Sequence, residues 1–403
     1  LAPPPLPITW LRGVRVALCA HYVPGPLAAY LLRGMGAEVI KVEPPFLDHL
    51  RLHPPCFPTP HGPMSAAFHT LNGGFQSILL DYKAPEAGSV LHHILATCDV
   101  LIDGHRPGQL AQLLGASPET LFPRLVYLPI SAYGQVGPQA HQAGHDANTL
   151  AIAGGLSYTA TSAQGGPALF SAPVADILAA HTAALCACAA LLGRQQDSAE
   201  EQPRKIDTSM YHAAAFLNQL QVATMNLLPA PPQHDAAWMN GHMPNYRIYH
   251  SVDGLPMFFG PIERPLFANF CRAVERLDLL PLLTADPAAC GAALAQVFAS
   301  RTRADWEQAL ADCDCCFSPV LDLAEAMDHP QAQALGLQRT ALAPDGTALR
   351  LSTFPAGFGP DSAPPLLPDH APWPGEHTDA ILSSLPGVQA DDIARWRAQG
   401  TVR

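Results

Sequence analysis

The sequence predicts an α/β protein with a mainly parallel, doubly wound sheet, joined to a small α+β domain. Two observations carry this reading. Strand-like and helix-like segments alternate through the first 130 residues, and repeated βα units imply parallel strands with helices on both faces. From about 246 onward the pattern changes to paired alternating segments around a turn, which reads as antiparallel structure.

In order, Gly13–Cys19 (GVRVALC) is a β-branched apolar strand and Ala20–Pro26 a turn. Leu27–Met35 is a helix closed by Gly34 and Gly36, and Ala37–Val42 a second strand. Together they form one βαβ unit of about 30 residues. Further strands are expected at Ser77–Tyr82, Asp99–Asp103 and Arg124–Ser131. A helix opens at Ser117-Pro118-Glu119, an N-cap followed by proline at N1. The apolar stretch Ile177–Gly193, rich in Ala and Cys, falls short of the ~20 residues needed to span a bilayer and reads as a buried helix. After the polar break Gln195–Pro203, Lys205–Ser209 leads into a helical run to about Leu228. Pro229–His234 reads as a linker, Asp253-Gly254 as a hairpin turn, Ser352–Trp373 as a Pro-rich wrapping arm, and Asp391–Gln399 as a terminal helix. These features divide the chain into 1–228, a linker plus small domain at 229–325, and a segment at 326–403 that returns to the large domain.

Composition narrows the function. With 22 Lys+Arg against 34 Asp+Glu, the formal charge is −12. Nucleic-acid grooves and anionic membranes need clustered positive charge, so neither is an expected partner. Charged residues make up 14% of the chain and hydrophobic ones 48%, where about 25% charged is usual. Such a chain can bury a large core and part of its surface in an oligomer. The ten cysteines include no paired CxxC motifs and read as cytosolic thiols. The start, Leu1–Pro7, lacks the order of a signal peptide, so a soluble cytoplasmic protein is expected. A dinucleotide oxidoreductase fails at the first turn: Ala20–Pro26 reads AHYVPGP, with no G-x-G-x-x-G to admit a pyrophosphate. Glu43, at the end of the second strand, has the position of a ribose-binding carboxylate or of a solvated strand end.

The order of motifs is more informative than any one of them. Gly25-Pro26, Gly36–Pro44 (GAEVIKVEP), Arg106-Pro107-Gly108, Tyr133-Gly134-x-x-Gly137-Pro138 and Gly144-His145-Asp146-x-Asn148 follow one another. Ala175-Asp176, Ile206–Met210, Asp253-Gly254 and Pro374–His377 complete the series. The run resembles the family III CoA-transferase and α-methylacyl-CoA racemase superfamily (CaiB/BaiF-like) over nearly the whole chain. The resemblance implies a Rossmann-like large domain, a small domain, and an interlocked homodimer of two ring-like subunits. It implies an acyl-thioester substrate, with coenzyme A as part of that substrate and no covalently bound cofactor. Racemases of this kind use a His and an Asp, matched here by His145 and Asp176, and a glutamate after a D-G hairpin, matched by Glu263. Transferases use the aspartate as nucleophile, which Asp176 also satisfies.

The expected activity is therefore 1,1-proton transfer at the α-carbon of a 2-methylacyl-CoA-like thioester. The alternatives are CoA transfer through Asp176 and an enzyme–CoA thioester, or a redirected member independent of CoA. Inverting a carbon requires one group to take a proton from one face and another to return one to the opposite face, and imidazole and carboxyl suit this once burial tunes them. Backbone N–H groups at the helix start beside Asp176 could receive the enolate charge, and Glu263 could hold the imidazolium.

Each residue has a plainer reading. Asp176 could be a helix N-cap, and Glu263 beside Arg264 a surface ion pair. His141 and His145 have the i, i+4 spacing of a metal pair, but Gly144 argues against a helix there and no third ligand is evident, so no metal is assigned. For the carrier, Arg51 and Arg106 occupy matching positions, and Asn72 and Glu43 are expected to join them. The basic turn common in the superfamily reads Asn72-Gly73-Gly74-Phe75-Gln76 here, with both cations lost and Arg33 as an extra charge that could substitute.

Overall fold

A computed structural model describes residues 6–160, 165–196, 204–228, 238–343, 346–356, 362–363 and 370–403. The linker expected at 229–234, most of the polar break at 195–203 and part of the arm at 352–373 lie outside the described residues. The chain forms two compact units. The first comprises 1–153, 171–217 and 333–403, and the second 154–170 and 218–332.

In the first unit the elements that position the site are β1 (Arg15–Cys19), α1 (Pro24–Gly34), β2 (Glu38–Glu43), α2 (Ala66–Asn72) and β3 (Gln76–Leu79). They continue as α3 (Ala87–Leu95), β4 (Val100–Asp103), α4 (Gln109–Leu114), β5 (Val126–Pro129), α5 (Asp146–Ile152), α6 (Val174–Gln196), β6 (Arg204–Lys205) and α7 (Met210–Leu217). The six strands pair in the order β3-β2-β1-β4-β5-β6, and every pairing is parallel. The order reverses direction between β1 and β4, and in open sheets ligands bind in the crevice outside the carboxyl ends at such a switch point.

Two-residue periodicity builds the two layers. Val16, Leu18, Val100, Ile102, Val126 and Leu128 face one side, against Ala28 and Leu32 of α1 and the alanines of α6. Ala17, Cys19, Ile40, Val42, Leu101 and Tyr127 face the other, against α3 and against Ile381, Leu382 and Trp396 of the C-terminal helices. Continuous apolar strands such as these are what a sheet covered on both faces requires. α1 starts three residues earlier than its apolar pattern suggests because Pro24 and Pro26 fit the first helical turn. Gly25 is needed there: a Cβ would stand 2.4 Å from the Ala20 Cβ.

The helix α6 corrects the sequence reading. It runs 23 residues, beyond both ends of the expected stretch, and Val174–Arg194 is long and apolar enough to cross a membrane by length and composition alone. In this fold Ala180, Ala183, Ala184 and Ala187 are buried against α1, while Leu185 and Leu192 stay 70% and 58% exposed.

The second unit holds an antiparallel sheet of β7 (Arg247–His250), β8 (Pro256–Phe259) and β9 (Phe317–Pro319). Asp253-Gly254 turns β7 into β8, with Gly254 at φ +77°. Its core is aromatic, with Phe259 against Phe270 at 4.4 Å and Phe298 against Trp306 at 5.3 Å.

Candidate functional site

A cavity of about 900 Å³ opens at the switch point of the first unit. Its floor comes from the ends of β1 and β4 (His21 and Tyr22, then His105 and Arg106), and its walls carry His145 and Asp176. The structure therefore brings together Arg106, His145 and Asp176, which stand 39 and 31 positions apart along the chain.

Asp176 is the third residue of α6, not its cap. The capping role falls to Asp146, whose Oδ1 accepts from the backbone N–H of Ala175 at 2.7 Å and of Asp176 at 3.1 Å. The plain N-cap reading of Asp176 is overturned, and so is the expectation that these two N–H groups stand ready for an enolate. Asp176 itself is 8% exposed, and its Oδ1 has no hydrogen-bond partner among the described residues. Burial, and secondarily the neighbouring Asp146 carboxylate, push its carboxyl up to about 7. A carboxyl in that range exchanges protons readily at neutral pH.

His145 precedes α5, exposed, with its ring edge-on to Tyr22 at 6.0 Å. Its backbone N–H donates to Asn148 Oδ1 at 3.0 Å. Gly144 lets the chain pass the Tyr133 ring, since a Cβ would stand 2.7 Å from the phenol oxygen. Residues 141–145 are not helical, so His141 and His145 do not share a helix face as a metal pair would. His181 turns its Nδ1 back to the Ile177 carbonyl at 2.8 Å and is exposed. Glu263 belongs to the second unit, exposed at the N-cap position of helix Arg264–Ala273.

Three of the four residues expected to hold the carrier are placed elsewhere. Arg51 and Glu43 form a buried bidentate pair, at 2.8 Å and 2.6 Å. Arg51 also donates to the Pro372 carbonyl at 2.9 Å and covers the Phe68 ring, so its donors serve the interior. Glu43 additionally accepts from Ser77 at 2.9 Å. Burial alone would raise the Glu43 carboxyl, but Arg51 and Lys41 together hold it below its ordinary value. Asn72 is fully buried at the end of α2, donating to the Phe68 carbonyl at 3.0 Å. Only Arg106 lines the cavity, joined there by Lys83. Arg33 donates to the Gly74 carbonyl at 3.3 Å, bracing the turn that lost its cations.

Sequence reasoning missed Asp146 as the cap of α6, because a cap 30 residues away leaves no local pattern. It also passed over Asp103 and His105. The D-x-H spacing at the end of a predicted strand was the available signal, and the imidazole Nδ1 lies 2.7 Å from the Asp103 carboxylate.

The chain is 31% identical to "Alpha-methylacyl-CoA racemase" of Mus musculus over 405 residues, covering 97% of each. It is 26% identical to "Succinyl-CoA:glutarate CoA-transferase" of Mus musculus, covering 97% of this chain and 90% of that one. Among solved structures, Rv3272 of M. tuberculosis superposes with a TM-score of 0.79 at 25% identity, over 94% of this chain and all of that one. A CAIB/BAIF family protein from Brucella suis gives the same TM-score at 23% identity, over 93% and 99%. The sequence model of CoA-transferase family III matches residues 11–378, and on that match the chain belongs to CoA-transferase family III.

Proposed function

We propose that the protein is an acyl-CoA racemase or epimerase that inverts the α-carbon of a 2-methylacyl-CoA-like thioester. The observation that carries this reading is Asp176, a buried carboxyl pushed up to about 7 on the wall of the cavity that also holds His145. One of the two takes the α-proton, the C–H electron pair becomes the C=C bond of the enolate, and the other returns a proton to the opposite face. In the reverse direction they exchange roles. The relatives named as racemases support the same choice. Arg106 and Lys83 are the cations at the cavity available to carrier phosphates. Incubation with a 2-methylacyl-CoA in heavy water should place deuterium at the α-carbon, and His145→Ala should lose it. No exchange with any branched acyl-CoA would overturn the reading.

A second reading rests on the unpartnered Asp176 Oδ1. As a carboxylate it would attack the thioester carbonyl and release CoA thiolate, leaving a mixed anhydride on the enzyme. A carboxyl near 7 is only partly ionised at neutral pH, which favours acid–base work over nucleophilic attack. Hydroxylamine trapping at Asp176 during turnover separates the two.

The chain is further proposed to work as a homodimer. The exposed Leu185 and Leu192 on one stripe of α6 suit a covered interface, and in such a dimer Glu263 of the partner subunit would hold the imidazolium of His145. A species of twice 42.8 kDa at nanomolar concentration is expected by light scattering or mass photometry, and a monomer would refute it.

A further inference from the structure

Glu263 ends the connection Gly260-Pro261-Ile262-Glu263 between β8 and the helix Arg264–Ala273. It stands at the N-cap position of that helix, yet its side chain caps no backbone N–H there. Among the described residues it makes no ion pair, with Arg264 or with any other cation. Both plain uses of an acid at this position are therefore unfilled, and the carboxylate is left exposed.

Connections of this kind are ordinarily mobile, but this one is held from the ends of β7, β8 and β9. The Gly260 N–H donates to the carbonyl of Cys316, just ahead of β9, at 3.0 Å. Cys316 takes a left-handed φ of +50° to present that carbonyl, a conformation that persists in a non-glycine residue only where the surroundings impose it. Gly260 lies flat against the Phe258 ring, where a Cβ would stand 2.6 Å from Cε1. The Ile262 N–H closes a tight turn onto the Gly260 carbonyl at 2.9 Å. Pro261 is buried, and a buried carbonyl needs a donor. Asn245, two residues ahead of β7 and 6% exposed, supplies it through its side-chain amide at 2.9 Å. A free carboxylate thus stands at the end of a pinned segment.

We propose that Asn245 is a positioning residue for racemisation: by fixing the Pro261 carbonyl it aims the Glu263 carboxylate at the imidazolium that forms on His145 of the partner subunit. The inference rests on the racemase and homodimer readings above. When that imidazole takes the α-proton it gains a charge, and a carboxylate already in place stabilises the charge without reorganising. No proton passes to Glu263 or Asn245. A misplacement of about 1 Å at a group of this kind can cost about 10²-fold in rate.

Exchange of the α-proton of a 2-methylacyl-CoA in heavy water gives kcat and KM for the full chain. Asn245→Ala should lower kcat about 10- to 10²-fold with KM little changed. In a Glu263→Gln background the same change should cost little further, because the group that Asn245 aims is already gone. Gly260→Ala displaces the connection at its other end, should behave in the same way, and carries the test if Asn245→Ala fails to fold. Mixed dimers fix the direction of action. Asn245→Ala paired with His145→Ala should recover one intact site, and Asn245→Ala paired with Glu263→Gln should not.

If the Asn245 and Glu263 losses multiply, or if the mixed dimers give the reverse pattern, Asn245 does not act through Glu263 and the proposal falls. It falls equally if kcat holds in Asn245→Ala, whether or not KM rises. A wild-type protein that exchanges no branched acyl-CoA overturns the racemase reading and this inference with it. An exchanging wild type that is monomeric, or unaffected by Glu263→Gln, overturns the dimer reading and this inference. An exchanging dimer that needs Glu263 but not Asn245 overturns this inference alone.

Discussion

Glu43 and Asp176 are both buried carboxyls of the first unit, and their surroundings drive them in opposite directions. Glu43 sits at the end of β2 with Arg51 bound to both its oxygens, Ser77 donating to one, and Lys41 close by. The neighbouring Asp48 is treated alike: Lys41, itself fully buried, donates to it at 2.9 Å, and the N–H groups of Tyr22 and Leu50 donate at 3.2 Å and 2.9 Å. Against the opposing pull of burial, Asp48 is also held below its ordinary value. Asp176 has burial without a cation, and a second carboxylate nearby instead. The comparison separates structural from chemical carboxyls by their partners. A buried charge paired and hydrogen-bonded holds the fold, and one left unpaired over a cavity carries a movable proton.

The contrast can be broken first at its structural end. Arg51→Ala leaves Glu43 buried without its partner and should cost about 3–5 kcal/mol of stability, read by urea unfolding. Replacing both residues, as Glu43→Gln with Arg51→Met, should restore most of the loss. A single variant as stable as wild type would mean that the pair is not closed in solution.

At the chemical end the sign is opposite. Asp176 rises from an ordinary 3.8 to about 7 in the folded chain, so between those values the native state holds a proton that the unfolded state has released. Stability then falls as pH rises through that window, and the penalty is complete above about 7. Asp176→Asn removes it. The variant should match wild type near pH 4 and exceed it by up to about 4 kcal/mol at pH 8, measured by denaturant midpoints at both pH values. A gain of the same size at pH 4 would assign the effect to packing.

The smallest effect sharpens the cause. Asp146→Asn keeps an acceptor for the two N–H groups of α6 but removes a charge. Because burial outranks that charge in raising Asp176, the limb of the pH–rate profile belonging to Asp176 should move down by less than half of its rise from 3.8 to about 7. A larger shift would make Asp146 the main cause.

Much of this was legible in the chain. The strands at 15–19, 38–43, 100–103 and 126–129 were read to within two residues at either end, because strands covered on both faces are apolar almost throughout. The hairpin at Asp253-Gly254 followed from turn chemistry. His145, Asp176 and Arg106 were singled out by motif order and do line one cavity. Glu43, Arg51 and Asn72 were singled out in the same way and are buried. Nothing local distinguishes an arginine that faces a ligand from one that turns back onto Glu43, eight residues earlier in the sequence.

By itself, then, the sequence determined the alternation of elements, the family, and the kinds of catalytic residue to expect: the carboxyls Asp176 and Glu263 and the imidazole of His145. These depend on short-range periodicity and on the order of motifs along the chain. Only the tertiary structure decided which carboxyl meets a cation and which is left without one. It brought Asp146 to the start of α6 from 30 residues away and set Asp103 against both His105 and Tyr127. Protonation depends on charge and water within a few ångströms in three dimensions, and that neighbourhood exists only once the sheet order β3-β2-β1-β4-β5-β6 has closed.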